Sequence, residues 1–190
     1  MTGKGAINLI LETERLALRE WRPDDAEALF ELMGDAEVMR YVDVGKPWED
    51  VGRVRDWITR LNESYRTRGF SRWAVVEREG GRAVGSCGFA RLPWSGETDF
   101  GYMFRRDCWG RGYASEITAA TLRHGFERYG FGEVVASIAP ENAASRRVLL
   151  KLGFVYRGNT VMPGEDEESE IYAAVNPAGA GAAARAAEPE

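Results

Sequence analysis

From Glu97 to Ala139 the chain passes through a strand-like run, a loop holding two glycines, a long helical segment and a second strand-like run. Two strands joined through a helix form a crossover, which lays the helix on a face of the sheet. The first run is Glu97 to Arg105. The helix extends from about Gly112 to Tyr129, where Ala114, Ile117, Leu122, Phe126 and Tyr129 share a broad apolar face. Glu133 to Ala139 is the next strand. A helix over Ala143 to Leu152 and strands over Phe154 to Thr160 and Glu168 to Val175 follow.

The chain before this crossover has a different pattern. Ile7 to Glu20 is strand-like. Pro23 opens a helix with Asp24 and Asp25 in its first turn, and Gly34-Asp35 closes it. A second helix runs from about Trp48 to Arg68, with Val51, Val54, Ile58, Leu61 and Tyr65 at helical spacing and Gly69 as its stop. Arg72 to Glu79 and Arg82 to Leu92 are strands joined by the turn Gly80-Gly81. Hairpins combined with crossovers predict an α/β (α+β) fold: a mixed central sheet with helices packed on its faces.

One ordinary domain, residues 1–176, fits this length. The fourteen residues from Pro177 to Glu190 are almost entirely Ala, Gly, Pro and Glu with one Arg. They hold no large apolar side chain, so a disordered tail is expected. The net charge of −5 gives no electrostatic case for nucleic acid. No stretch approaches the roughly 20 apolar residues of a membrane span, and the start does not read as a signal peptide. Cys87 and Cys108 make neither a disulfide framework nor a metal-ligand spacing. The expectation is a cytoplasmic protein with reduced cysteines, no membrane partner and no metal, as a monomer or homodimer.

The chemistry concentrates in Asp99 to Glu116. The first amides of a helix lack intrahelical partners and sit at the positive end of its dipole, which makes an anion site. Gly110 and Gly112 let a phosphate approach the backbone, while Arg105, Arg106 and Arg111 add positive charge. A pyrophosphate satisfies all of these features. The Gly-Lys-Ser/Thr of a nucleotide-triphosphate loop is absent, and the third glycine of a dinucleotide fingerprint is missing.

A second segment, Ala139 to Phe154, places Asn142 between a strand and a helix. With it the chain resembles the GNAT acetyltransferase superfamily, and within that the ribosomal-protein N-terminal acetyltransferase branch (RimJ/RimL type). Trp109-x-x-Gly112-x-Ala114 is similar to the family's acetyl-CoA loop, Q/R-x-x-G-x-G/A. Asn142, Ser145 and Lys151-Leu152-Gly153-Phe154 match its later motif, with five residues between Ser145 and Lys151. Thr13-Glu14-Arg15-Leu16-x-Leu18-Arg19, Asp24-Asp25-Ala26 and Val84-Gly85-x-Cys87-Gly88-Phe89 also look like that branch. The likeness covers roughly residues 10 to 175. There are two departures. Trp109 stands where the family has Gln or Arg, and Leu149 stands where many members carry a tyrosine acid.

The resemblance implies the GNAT acyl-CoA N-acyltransferase fold, with acetyl-CoA as cosubstrate and direct attack of an amine on the thioester in a ternary complex. The acceptor remains open among a protein N-terminus, an aminoglycoside-like or polyamine amine, and a small metabolite. By the likeness, Met103, Phe104 and Arg105 bind the pantetheine arm. Arg106, Trp109, Gly110, Arg111, Gly112, Tyr113, Ala114 and Ser115 hold the pyrophosphate. Asn142, Ser145 and Arg147 add later contacts. Period-two alternation puts Glu97, Asp99 and Gly101 on one strand face, so Asp99 and Glu97 are the candidate bases. Ser145 is the candidate acid. The two departures leave a non-catalytic acyl-CoA-binding or sensing module as the alternative. The acidic run from Glu165 to Glu168 reads as a solvated loop, with a clamp for a cationic acceptor as the alternative; His124 reads as a helix residue without catalytic work; and Trp21, Trp48, Trp57 and Trp73 read as core side chains, with an acceptor-pocket wall as the alternative.

Overall fold

The computed structural model describes residues 8–42, 45–164 and 166–178. The predicted tail lies outside the described residues apart from Pro177 and Ala178. The described chain divides into two compact units, residues 1–90 with 101–121 and residues 91–100 with 122–190.

In the first unit, strand β1 (Leu9–Glu12) pairs antiparallel with β2 (Leu16–Arg19). The single strand expected over Ile7 to Glu20 is therefore a hairpin. Thr13 breaks the run: its amide donates to the Leu16 carbonyl at 2.8 Å, closing a tight turn. Pro23–Asp25 forms one 3-10 turn and leads into helix α1 (Ala26–Met33). A short helix α2 (Ala36–Met39), capped by Asp35, was not legible in the pattern. Helix α3 (Val51–Arg68) starts three residues later than expected, because the Asp50 side chain caps it by accepting from the Gly52 amide. It stops at Gly69, where φ is 81°.

Strands β3 (Arg72–Glu77) and β4 (Ala83–Arg91) form the next antiparallel pair. Beside β4 lies β5 (Thr98–Phe104), whose residues 101–104 belong to this unit. At Gly85 the strands approach so closely that a Cβ would sit 2.3 Å from the Met103 carbonyl oxygen. Helix α4 (Tyr113–Tyr129) contributes its first half here. The core gathers Leu29, Met33, Met39, Val54, Ile58 and the indole of Trp21, with Trp57 packed at its edge. Trp48 and Trp73 are buried as expected of core side chains.

One buried polar feature stands out against that core. Arg19 and Asp25 are both buried and meet through two hydrogen bonds of 2.6 and 2.8 Å. The Asp25 carboxylate also accepts from the Arg22 amide at 2.7 Å, which joins the 3-10 turn to β2.

In the second unit, the first half of β5 pairs parallel with β6 (Glu133–Ile138) at Asp99↔Val135. Helix α5 (Ala143–Lys151) follows β6. Strands β7 (Val155–Val161) and β8 (Glu168–Val175) pair antiparallel, and β8 pairs antiparallel with β6. Parallel and antiparallel ladders together make the mixed α/β architecture the pattern predicted. Lys151-Leu152-Gly153-Phe154 ends α5: Gly153 takes φ 82°, and buried Phe154 stacks on Phe100 at 5.9 Å. Among the described residues, no helix is long and apolar enough to cross a membrane.

Candidate functional site

The loop between β5 and α4 is built by local hydrogen bonds. After Phe104 the chain makes a 3-10 turn over Arg106–Cys108. The Cys108 and Trp109 amides are used within it, donating to the Arg105 and Arg106 carbonyls at 3.0 and 3.1 Å. Gly110 and Gly112 then take φ 74° and 80°, left-handed values that a side chain with a Cβ rarely adopts. The first bond of α4 runs from the Glu116 amide to the Gly112 carbonyl at 3.0 Å. The amides of Gly112, Tyr113, Ala114 and Ser115 therefore lie ahead of the helical ladder, at the positive end of a 17-residue helix.

Arg15 organises this loop. Its Nη1 donates to the Arg111 carbonyl at 2.9 Å, and its guanidinium lies 4.8 Å from the Tyr113 ring centroid. Its Nε and Nη2 meet Glu116 Oε2 at 2.7 and 2.6 Å. Glu116 also accepts from the Thr13 hydroxyl at 2.7 Å and from the Arg15 amide at 2.9 Å. Burial alone raises the Glu116 pKa, but these donors outweigh it and hold the carboxyl below its ordinary value. The clamp thus persists at neutral pH and weakens only as pH falls through a value under the usual 4.5. Tyr113 is anchored in turn, its hydroxyl donating to Glu77 at 2.9 Å. Sequence reasoning assigned none of this to Arg15. The signal was present in Thr13-Glu14-Arg15, whose role emerges only once the hairpin sets it beside α4.

The loop's cations are less available than the sequence suggested. Arg105 donates to Glu31 at 2.7 Å and lies 3.5 Å from Asp107, and Arg106 lies 3.3 Å from Asp35. Asp107 also pairs with Arg82, whose hydrogen bond is the main cause of its lowered pKa. A small cavity of about 200 Å³ lies among these ion pairs, lined by Glu31, Asp35, Arg105, Arg106 and Asp107. Two of the loop's three arginines, Arg105 and Arg106, are therefore already engaged by carboxylates.

Strand geometry also sorts the three residues expected to hold pantetheine. The Arg105 amide donates to the Val84 carbonyl at 2.9 Å, so it is committed to β4. Amides alternate in direction along a strand, so that of Met103 points the same way and that of Phe104 points to the opposite edge. Among the described residues of its own unit, no strand pairs with that opposite edge. The Phe104 carbonyl is taken by the indole Nε1 of Trp109 at 2.9 Å. The tryptophan that replaces the family's Gln or Arg thus fastens the loop to the end of β5 while the residue stays exposed.

The remaining candidates lie in the second unit. Asp99 is 7% exposed, near the start of β5. Glu97 is exposed and one residue before the strand, so the two carboxylates do not share a strand face as period two predicted. The chain at Glu97 is still turning: its amide meets the Ser95 hydroxyl at 3.3 Å and its carbonyl accepts from the Leu92 amide at 2.9 Å. Both acids nevertheless line one cavity of about 290 Å³, with Trp94, Ser137, Met162 and Pro163.

Asn142 caps α5, its Oδ1 accepting from the Ser145 amide at 3.0 Å. Its NH₂ keeps two donors beyond the cap. Ser145 is half-buried in the first turn, and Arg147 is exposed. Leu149 is 0% exposed, so the position that carries a tyrosine in many relatives is here packed core. Burial pushes the Cys87 thiol up to about 12, and that of Cys108 is raised by burial and by Asp107. A thiol held protonated is no nucleophile. His124 packs edge-on against Tyr129 at 5.3 Å, and burial lowers its pKa. Among the described residues, no group of three His, Cys, Asp or Glu side chains is placed to hold a metal ion. Asp166 to Glu168 are exposed; Glu165 lies outside the described residues.

Residues 15–155 match the family model described as acetyltransferase (GNAT) domain. The chain belongs to the GNAT acetyltransferase family. It is 32% identical over 149 residues to the N-acetyltransferase p20 of Bacillus licheniformis, covering 78% of this chain and 83% of the relative. A GNAT-family acetyltransferase structure from Bacillus anthracis superposes with a TM-score of 0.76 at 25% identity, over 87% of this chain and 98% of the other. RimL, a ribosomal L7/L12 α-N-protein acetyltransferase solved with coenzyme A, shares the fold at a TM-score of 0.75 and 19% identity, over 88% and 98% of the two chains. This GNAT chain is thus an acetyl-CoA-dependent N-acetyltransferase.

Proposed function

We propose that the chain transfers the acetyl group of acetyl-CoA to a primary amine by direct attack. The observation that carries this reading is the row of amides from Gly112 to Ser115 lying ahead of the first helical bond. They offer an anion several aligned donors at a helix N-terminus, which suits a pyrophosphate. Gly110 and Arg111 complete the loop, and Arg111 supplies charge beside it. The Phe104 amide, directed away from β4, is the donor on β5 for the pantetheine arm. The Asn142 side-chain amide and Arg147 offer further polar contacts from α5.

Asp99 is the group that accepts the amine proton. It is buried, it lines a cavity, and a carboxylate there receives a proton without a metal's help. Ser145 is the hydroxyl that protonates the departing thiolate, since Leu149 has none. The protein's remaining work is positioning, which by itself supports large rate gains in a two-substrate reaction.

Thiol release from acetyl-CoA in the presence of an amine panel tests the reading. Release that depends on an amine and is stoichiometric with N-acetyl product supports it. Acetyl-CoA binding without release that depends on any primary amine of the panel overturns the primary-amine reading.

The clamp on the loop has its own expected outcome. Arg15→Ala raises the KM for acetyl-CoA about fivefold while kcat stays within about twofold, a pattern of lost uniform binding. Arg15→Lys does not restore it, because an ammonium lacks the planar fork that reaches Glu116 and stacks on Tyr113. Steady-state kinetics at varied acetyl-CoA check both variants.

A further inference from the structure

The cavity of about 290 Å³ in the second unit has a composition that narrows the acceptor. At roughly 30 Å³ per water-sized group it holds on the order of ten non-hydrogen atoms. Among the described residues, the charged ones lining it are Asp99 and Glu97, both acids. Asp99 is buried and Glu97 exposed, so one carboxylate lies inside and the other toward solvent. Most of the remaining wall is apolar, from β6, the end of β7 and β8, together with Met162 and Pro163. Trp94, a residue 50% exposed on the loop before β5, adds an indole. The exposed acids Asp166 to Glu168 lie outside this lining.

We infer that this cavity selects a small monoamine whose carbon body is apolar or aromatic, with Trp94 as the residue that recognises the body. This rests on the amine-acceptor reading above. Two carboxylates favour a single ammonium over a neutral or anionic group. A long polyamine or an aminoglycoside would leave further ammonium groups against the apolar wall, where an unpaired charge is costly. Trp94 offers a broad face to an aromatic or alkyl body and to the cation itself. Its half-exposed state leaves that face available to an incoming ligand.

The test compares 2-phenylethylamine with spermidine as acceptors, following both thiol release and N-acetyl product. The expected kcat/KM for 2-phenylethylamine exceeds that for spermidine by about tenfold or more, the low end of discrimination by an apolar pocket. Trp94→Ala raises the KM for 2-phenylethylamine about fivefold and leaves the KM for acetyl-CoA unchanged, while Trp94→Phe retains most of the wild-type value. Spermidine as the better acceptor, or a KM for 2-phenylethylamine that ignores Trp94→Ala, overturns the inference while leaving acetyl transfer intact. If no amine releases thiol, the primary-amine reading fails. Calorimetric titration of 2-phenylethylamine then decides the cavity separately: heat that Trp94→Ala weakens supports it, and no binding overturns it. Unchanged thermal unfolding of each variant excludes loss of fold.

Discussion

Asp99→Asn lowers kcat by about 100-fold, the low end of general acid–base effects, while calorimetric affinity for acetyl-CoA is unchanged. An alkyl amine with a pKa near that of lysine, about 10.4, is almost wholly protonated at neutral pH. Its nitrogen lone pair exists only after a proton leaves, so a nearby acceptor is needed before or during attack. Asparagine preserves the shape of the side chain but cannot take that proton. The loss therefore shrinks as pH rises and the amine deprotonates unaided. A residue that merely held β5 in place would show no such convergence. Glu97→Gln, at an exposed turn residue outside the strand, changes kcat by less than about tenfold. If Asp99→Asn keeps wild-type kcat across pH and Glu97→Gln does not, the base is Glu97. If neither matters, the proton leaves to solvent and positioning alone supports the rate.

Much of this architecture was legible because periodicity and punctuation agreed. Gly69 and Gly153 stop their helices in left-handed conformations, and Gly80-Gly81 turns one strand into the next with φ of 80° and 69°. What was not legible depended on partners distant in sequence. The β1–β2 hairpin was read as one strand because Thr13 is as compatible with a strand as with a turn. Its function in closing that turn, and in feeding a hydroxyl to Glu116 103 residues away, is a tertiary fact. The same holds for Arg105 and Arg106, whose partners Glu31 and Asp35 sit on or beside α1. A run of basic residues in sequence says nothing about which of them are already neutralised by neighbours. Glu97 fell outside β5 because period two assigns a face only to residues already extended, and the 92–97 turn intervenes. The loop motif was readable for a physical reason: left-handed glycines and a helix start are both local, and each depends little on the rest of the chain.

Gly112→Val is expected to weaken acetyl-CoA binding about tenfold or more, or about 1.4 kcal/mol, with the fold retained. Two effects act together. Gly112 holds φ at 80°, a conformation in which a β-branched residue is a genuine outlier. A Cβ there would stand 3.4 Å from Arg15 Nη2, in ordinary contact, and the valine methyl groups extend beyond it toward the guanidinium. Relief of either strain shifts the Gly112 carbonyl, which receives the first bond of α4, and so misaligns the amides that precede it. Gly110 separates these causes. It holds a similar φ of 74°, but a Cβ there meets nothing within 4 Å. Gly110→Asn, a residue that tolerates left-handed backbone, therefore loses much less affinity. Calorimetry with CoA on both variants, beside thermal unfolding to confirm the fold, reads the difference. Equal affinity for wild type and Gly112→Val would remove the α4 amides from the cofactor site. Equal and large losses for both glycine variants would instead mean that bulk anywhere in the loop blocks the ligand, with Arg15 playing no part.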